Sequence, residues 1–195
     1  FDSVRANLYN IFPTSGYMPF VKTWQEFSTL VSKMQDYKEI GSVRDIYWDI
    51  RPRSQFGTVE LRMIDMPLTV EKAAMLTVYV QTLARYILTE RKFPVTEELY
   101  FLYAYNRFQA ARFGFSGVMA DPYTKTSQSI GEDILATLKL IMPYAKDDLS
   151  KAFLDKIARN TLAKQNDAKW LRETYKKVGT FRELVHEQTK LWVDE

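Results

Sequence analysis

Two short runs of alternating residues constrain this chain more than any other feature. In Asp45–Arg53 (DIYWDIRPR), Ile46, Trp48 and Ile50 alternate with Tyr47, Asp49 and Arg51. In Thr58–Asp65 (TVELRMID), Val59, Leu61 and Met63 alternate with Glu60, Arg62 and Ile64. A period of two is the mark of a strand with one face buried. The intervening Ser54-Gln55-Phe56-Gly57 has the length and composition of a hairpin loop. No other stretch gives a convincing sheet signal. A single two-stranded hairpin is marginal in water and its edges call for partners. The expectation is therefore an apolar face packed on helices, a charged face turned to water or a ligand, and further antiparallel strands lying outside this sequence.

The remaining pattern is helical. Val4, Leu8 and Ile11 share a face before Pro13-Thr14-Ser15-Gly16 breaks the run. Thr23 is placed to cap a helix from Trp24 to about Tyr37, with Phe27, Leu30, Val31 and Met34 as its stripe. Thr69 caps Val70 to about Glu90, whose apolar window Ala73–Leu88 reads as a buried helix because it is too short and too polar to span a bilayer. Further helices are expected at Glu97–Arg112 (ended by Gly114), about Thr126–Met142, Asp147–Ala163 (striped by Leu149, Phe153 and Ile157), Ala168–Lys177 and Thr180–Val193. Asp121-Pro122 reads as the start of a loop. The fold class is α+β, mostly helical with one hairpin from an incomplete sheet.

Composition narrows the function classes. With 27 Lys+Arg against 24 Asp+Glu the net charge is +3, too small for an obligate nucleic-acid binder. The chain has no Cys, which excludes thiolate metal sites and a Cys nucleophile, and its single His, His186, argues against multi-His zinc sites and Ser–His–Asp triads. No P-loop or GxGxxG pattern occurs. No signal peptide is visible at Phe1–Phe12, so a cytoplasmic protein is the expectation.

One constellation stands out. Strand alternation puts Asp49 and Arg51 on one face, and Glu60 and Arg62 on one face of the next strand. If the apolar sides lie together, all four share a surface. Interleaved carboxylates and guanidinium groups suit phosphate with a divalent cation, the former as hard oxygen ligands and the latter as bidentate anion forks. A solvated face with cross-strand ion pairs fits the same pattern. A second cluster, Asn106, Arg107 and Arg112 in NRFQAARFG, reads either as an anion or nucleotide contact or as a helix end whose arginines offset the dipole. Ala110 and Ala111 in the same run would let another element approach closely.

WDIRPRSQFGTVELRMIDMPLTVEKAA (Trp48–Ala74) and NRFQAARFGFSG (Asn106–Gly117), with Phe12–Gly16 before them and Asp121-Pro122 after, resemble the C-terminal half of the glutamate–cysteine ligase type 2 family, the carboxylate–amine ligases. The resemblance implies a glutamine-synthetase-like fold, in which a curved antiparallel sheet is backed by helices. It also implies ATP-dependent activation of a carboxylate to an acyl phosphate that an amine then attacks, with Mg²⁺ bridging the phosphates. In the ExR motif it makes Glu60 a metal ligand and Arg62 a contact to the transferred phosphate. In the DIRP motif it points to Arg51 for substrate carboxylate or phosphate, with Asn106, Arg107 and Arg112 as nucleotide contacts near the same mouth. The Gly-Ala and Arg-rich stretch the family carries later is replaced here by Gln165–Trp170. Together with a first residue of Phe, this layout makes residues 1–195 the C-terminal portion of one ligase catalytic domain, inactive by itself. Small-molecule acid and amine substrates and a homodimer are the implied partners, with no nucleic acid and no membrane. The rival expectation is a non-catalytic helical module that docks a partner chain through the charged hairpin face.

Overall fold

The computed structural model describes residues 1–91 and 93–193. In chain order its elements are α1 (Arg5–Tyr9), β1 (Ser15–Gly16), α2 (Trp24–Asp36), β2 (Tyr47–Trp48), β3 (Ile50–Arg53), β4 (Thr58–Leu61), α3 (Val70–Glu90), α4 (Glu97–Phe113), β5 (Val118–Asp121), β6 (Thr126–Ser129), α5 (Ile130–Ile141), α6 (Asp148–Leu162), α7 (Asp167–Val178) and α8 (Phe181–Val193). The molecule is mostly helical with short strands, as the sequence suggests.

Helix starts follow local chemistry. The side chains of Thr23, Thr69, Thr96, Asp147 and Asn166 each accept a hydrogen bond from a backbone N–H three residues on. A cap of this kind is worth about 1 kcal/mol because it satisfies a donor the helix itself leaves unpaired. Two apolar cores result. Phe27, Val31 and Met34 of α2 pack with Ile40, Ile46 and Trp48. Leu138, Ile141 and Leu154 meet Val78, Tyr79 and Leu83 of α3.

The strands pair two at a time among the described residues. β1 runs parallel to β2, while β3–β4 and β5–β6 are antiparallel hairpins. The β3–β4 hairpin falls where the alternation predicts it. The second hairpin corrects the sequence reading: Thr126–Ser129 is a strand rather than the first turn of a helix, and α5 begins only at Ile130. Its residues, TSQS, carry no apolar alternation, and α4 holds the hairpin by polar means. The Asn106 amide both donates to and accepts from the Ala120 main chain at 2.8 Å, and Gln109 Oε1 accepts from the Val118 N–H.

Three apolar expectations also shift. The hairpin's apolar residues Ile50 and Val59 are exposed, whereas the charged residues Asp49 and Arg51 are buried. The α6 stripe turns so that Leu154 is buried and Leu149 lies in solvent. Within α3 only Met75 and Thr82 are buried, and Ile87 and Leu88 are exposed. By contrast, close approach at the alanines is real: the Asp2 and Ser3 N–H groups both donate to the buried Ala111 carbonyl. Gly117 is needed for the same kind of closeness, since a Cβ there would stand 2.6 Å from the Gln109 carbonyl oxygen.

Candidate active site

The chain turns inward at Asp49. Trp48 and Asp49 are both buried, so strict alternation breaks between β2 and β3. Trp48 enters the α2 core while Asp49 points toward α4. Asp49 Oδ2 accepts from the Tyr103 hydroxyl at 2.9 Å, and Oδ1 accepts from Arg107 Nη2 at 2.9 Å. Arg107 Nε lies 2.5 Å from Oδ2 as an ion pair outside hydrogen-bond alignment. Arg107 also donates to the Ala6 carbonyl and to Asn10 Oδ1, so one guanidinium ties α1, the bend and α4 together. Both partners of the pair are nearly fully buried, at 3% and 8% side-chain exposure.

Past the bend the ladder continues. The Arg62 N–H donates to the Asp49 carbonyl at 2.8 Å, Ile50 faces Leu61, Arg51 faces Glu60 and Arg53 faces Thr58. Arg51, Glu60 and Arg62 therefore project on one face, as the alternation predicts, and Arg53 joins them, whereas Asp49, expected on the same face, turns to Tyr103 and Arg107. Glu60 is the hub. Its Oε2 accepts from Arg51 Nε and Nη2, at 3.2 and 2.7 Å, and lies 3.8 Å from Arg53 Nε. Its Oε1 accepts from Arg62 Nη1 at 2.6 Å. Partial burial pushes the Glu60 carboxyl up. The Arg51 hydrogen bond and the charges of Arg51, Arg62 and Arg53 outweigh that and hold it below the ordinary range.

The arginines are not equivalent. Arg51 donates from Nη1 to the Arg44 and Ile46 carbonyls as well as to Glu60, and is almost fully buried. Arg62 lies over the Tyr47 ring and its Nε is buried without an acceptor. An orphaned buried donor costs about 1–3 kcal/mol, so it marks a place where a partner belongs. Arg53 rests against Phe56 and its side chain is about one-third exposed.

The nucleotide contacts expected on α4 separate into different roles. Asn106 spends its amide on β5 and Arg107 spends its charge on Asp49. Arg112 stacks over Phe1 and Phe113 and makes no contact with Glu60 or Arg62 among the described residues. The Gln165–Trp170 stretch is architectural: Asn166 caps α7 and bonds Asp2, and Asp167 accepts from the Leu68 N–H and pairs with Lys72. His186 is exposed on α8. Two contributors went unremarked in the sequence. Tyr103 stands one helical turn before Arg107, and Arg53 stands one alternation beyond Arg51; each spacing signals a shared face.

A cleft of about 950 Å³ lies beside the hairpin, lined by Ile50 and Met63 with Asp49, Asn106 and Arg107. Alternation puts Ile50 and Met63 on the opposite side of the strands from Arg51, Glu60 and Arg62. The cleft and the arginine face are thus back to back.

Guanidinium groups on either side of one carboxylate suit a polyphosphate, whose oxygens take bidentate arginine contacts. A divalent cation asks more. No group of three or more His, Cys, Asp or Glu able to hold a metal occurs among the described residues. Magnesium carried on phosphates commonly takes only one or two protein carboxylates, so Glu60 fits as one ligand of a nucleotide-borne ion and not as a free-standing metal centre. No helix among the described residues is long and apolar enough to cross a membrane. A family model described as glutamate-cysteine ligase family 2 matches residues 1–188.

Proposed function

The chain belongs to glutamate–cysteine ligase family 2 and thus to a ligase family. From that premise we propose that it works as an ATP-dependent carboxylate–amine ligase of the glutamate–cysteine type. In this reading a carboxylate oxygen attacks the terminal phosphorus of ATP and ADP leaves. The amine nitrogen then attacks the acyl carbon and phosphate leaves. Arg62 would hold the transferring phosphoryl group, where fixed positive charge meets charge that develops in the transition state. Glu60 would supply one oxygen to Mg²⁺, which would neutralise phosphate charge. Arg51 would set the place of Glu60. The observation that carries the reading is Arg62, partly buried on an arginine-rich face with a donor that has no protein acceptor.

The proposal extends to organisation. Residues 1–195 form part of one glutamine-synthetase-like catalytic domain whose further strands and metal-ligating acids lie elsewhere in the full-length protein, and this portion alone is inactive. A cytoplasmic setting belongs to the same reading. Asn106 and Arg107 enter it as supports of β5 and of the bend at Asp49, and Arg112 keeps the nucleotide contact the resemblance implies.

The test is Mg-ATP-dependent amide formation by the full-length protein, with Glu60→Ala and Arg62→Ala alongside. Both variants should lose most activity while staying folded. Unchanged turnover in both would remove the site assignment, and turnover by the 195-residue chain alone would remove the statement about organisation.

A further inference from the structure

Resting on the ligase reading, we infer that Arg53 is the second phosphate-contacting arginine of the site and that Arg51 is a positioning residue. The donors of the three arginines separate these roles. Every nitrogen of Arg51 is engaged: Nε and Nη2 on Glu60, Nη1 on two main-chain carbonyls. With 6% of its side chain exposed it has almost no surface to offer a ligand. Arg53 is the reverse case. Its nearest charged group is Glu60 Oε2 at 3.8 Å, beyond hydrogen-bond reach, and no hydrogen bond engages its guanidinium among the described residues. Its side chain is 31% exposed and steadied by the Phe56 ring.

Position completes the argument. Along the shared face Arg62 follows Glu60 just past the end of β4, and Arg53 lies diagonally on the other side of Glu60 on β3. The two underused guanidinium groups flank the single carboxylate, one on each side. A polyphosphate laid along this face meets a cation at either end, with Glu60 between them at the place where a phosphate-borne metal would neutralise it. Arg51 lies directly across from Glu60 and fixes that carboxylate from behind.

The full-length protein is examined with a non-hydrolysable ATP analogue by titration calorimetry, together with steady-state kinetics and thermal unfolding. Arg53→Ala should weaken analogue binding about tenfold, the loss of one charged contact, and raise the nucleotide KM in step, with Tm almost unmoved. Arg53→Lys should recover part of that affinity. Arg51→Lys should lower Tm and kcat while the nucleotide KM stays within about threefold, the split expected of a residue acting through another. Analogue binding by Arg53→Ala within about twofold of the unaltered protein, or a KM effect confined to Arg51→Lys, overturns the inference and leaves the ligase reading standing. A full-length protein that neither binds the analogue nor forms an amide overturns the ligase reading itself.

Discussion

Asp49 and Arg62 meet through the main chain, the Arg62 N–H donating to the Asp49 carbonyl at 2.8 Å, while their side chains are held from opposite sides. Asp49 is fastened to Tyr103 and Arg107 of α4, and Arg62 to Glu60 two residues before it. The Asp49 N–H adds a third anchor at the Gly16 carbonyl. The position of the proposed phosphate-binding arginine is therefore tied to α4 through one residue that does not itself reach the arginine face.

Breaking that tie should be costly. Asp49→Asn or Arg107→Ala leaves an uncompensated charge in a nearly dry site, and should destabilise the protein by about 3–5 kcal/mol. Urea unfolding of each single variant measures it. The Asp49→Asn, Arg107→Met double variant should recover part of the loss, because neither charge remains unpaired.

Tyr103 gives an alkaline signature. Burial first, then the charge and hydrogen bond of Asp49, raise its hydroxyl well above the usual phenol range. A raised folded pKa means that the associated stability is fully present below the unfolded value, near 10, and is lost as pH rises toward the folded value. Tyr103→Phe should cost about 1.5–3 kcal/mol at neutral pH for the lost bond to a charged acceptor. The gap between the two proteins should narrow above about pH 10, as read by unfolding at graded pH.

Glu60 titrates in the other direction. Its folded carboxyl is held below the unfolded value, so its stabilising contribution is present above the ordinary glutamate range and is lost as pH falls through the folded value. Glu60→Gln should lower stability at neutral pH and flatten the acid limb of the pH–stability curve below about pH 4.

Gly117 is a packing test away from the site. Gly117→Ala forces a methyl toward the Gln109 main chain at the α4–β5 joint and should cost about 1–3 kcal/mol in unfolding experiments. Gly57→Ala, where nothing stands within 4 Å, isolates the backbone component at φ +61.

How much of this was legible beforehand follows from where the information lies. Thr23, Thr69 and Thr96 announce their helices because a cap is a local interaction, and the Arg51–Glu60 pairing follows from the alternation of a hairpin with a short loop. The inward turn of Asp49 was hidden, since it depends on a bend stabilised by Arg107, 58 positions away. The β5–β6 hairpin was hidden for a like reason. Its strands are polar, and Asn106 and Gln109 of α4 provide the pairing that periodicity cannot report. The partner of Arg107, Asp49, was hidden because sequence shows charge without showing what it meets.

The central claim is that this family member activates a carboxylate by phosphorylation on the Arg62 face, and oxygen-isotope transfer tests it most directly. The full-length protein is supplied with Mg-ATP, an amine acceptor such as cysteine, and glutamate labelled with ¹⁸O in its carboxylates. Mass analysis of the released phosphate should find one labelled oxygen per phosphate, and Arg62→Ala should abolish its formation. Released phosphate without label, or labelled phosphate formed equally well by Arg62→Ala, would contradict the account.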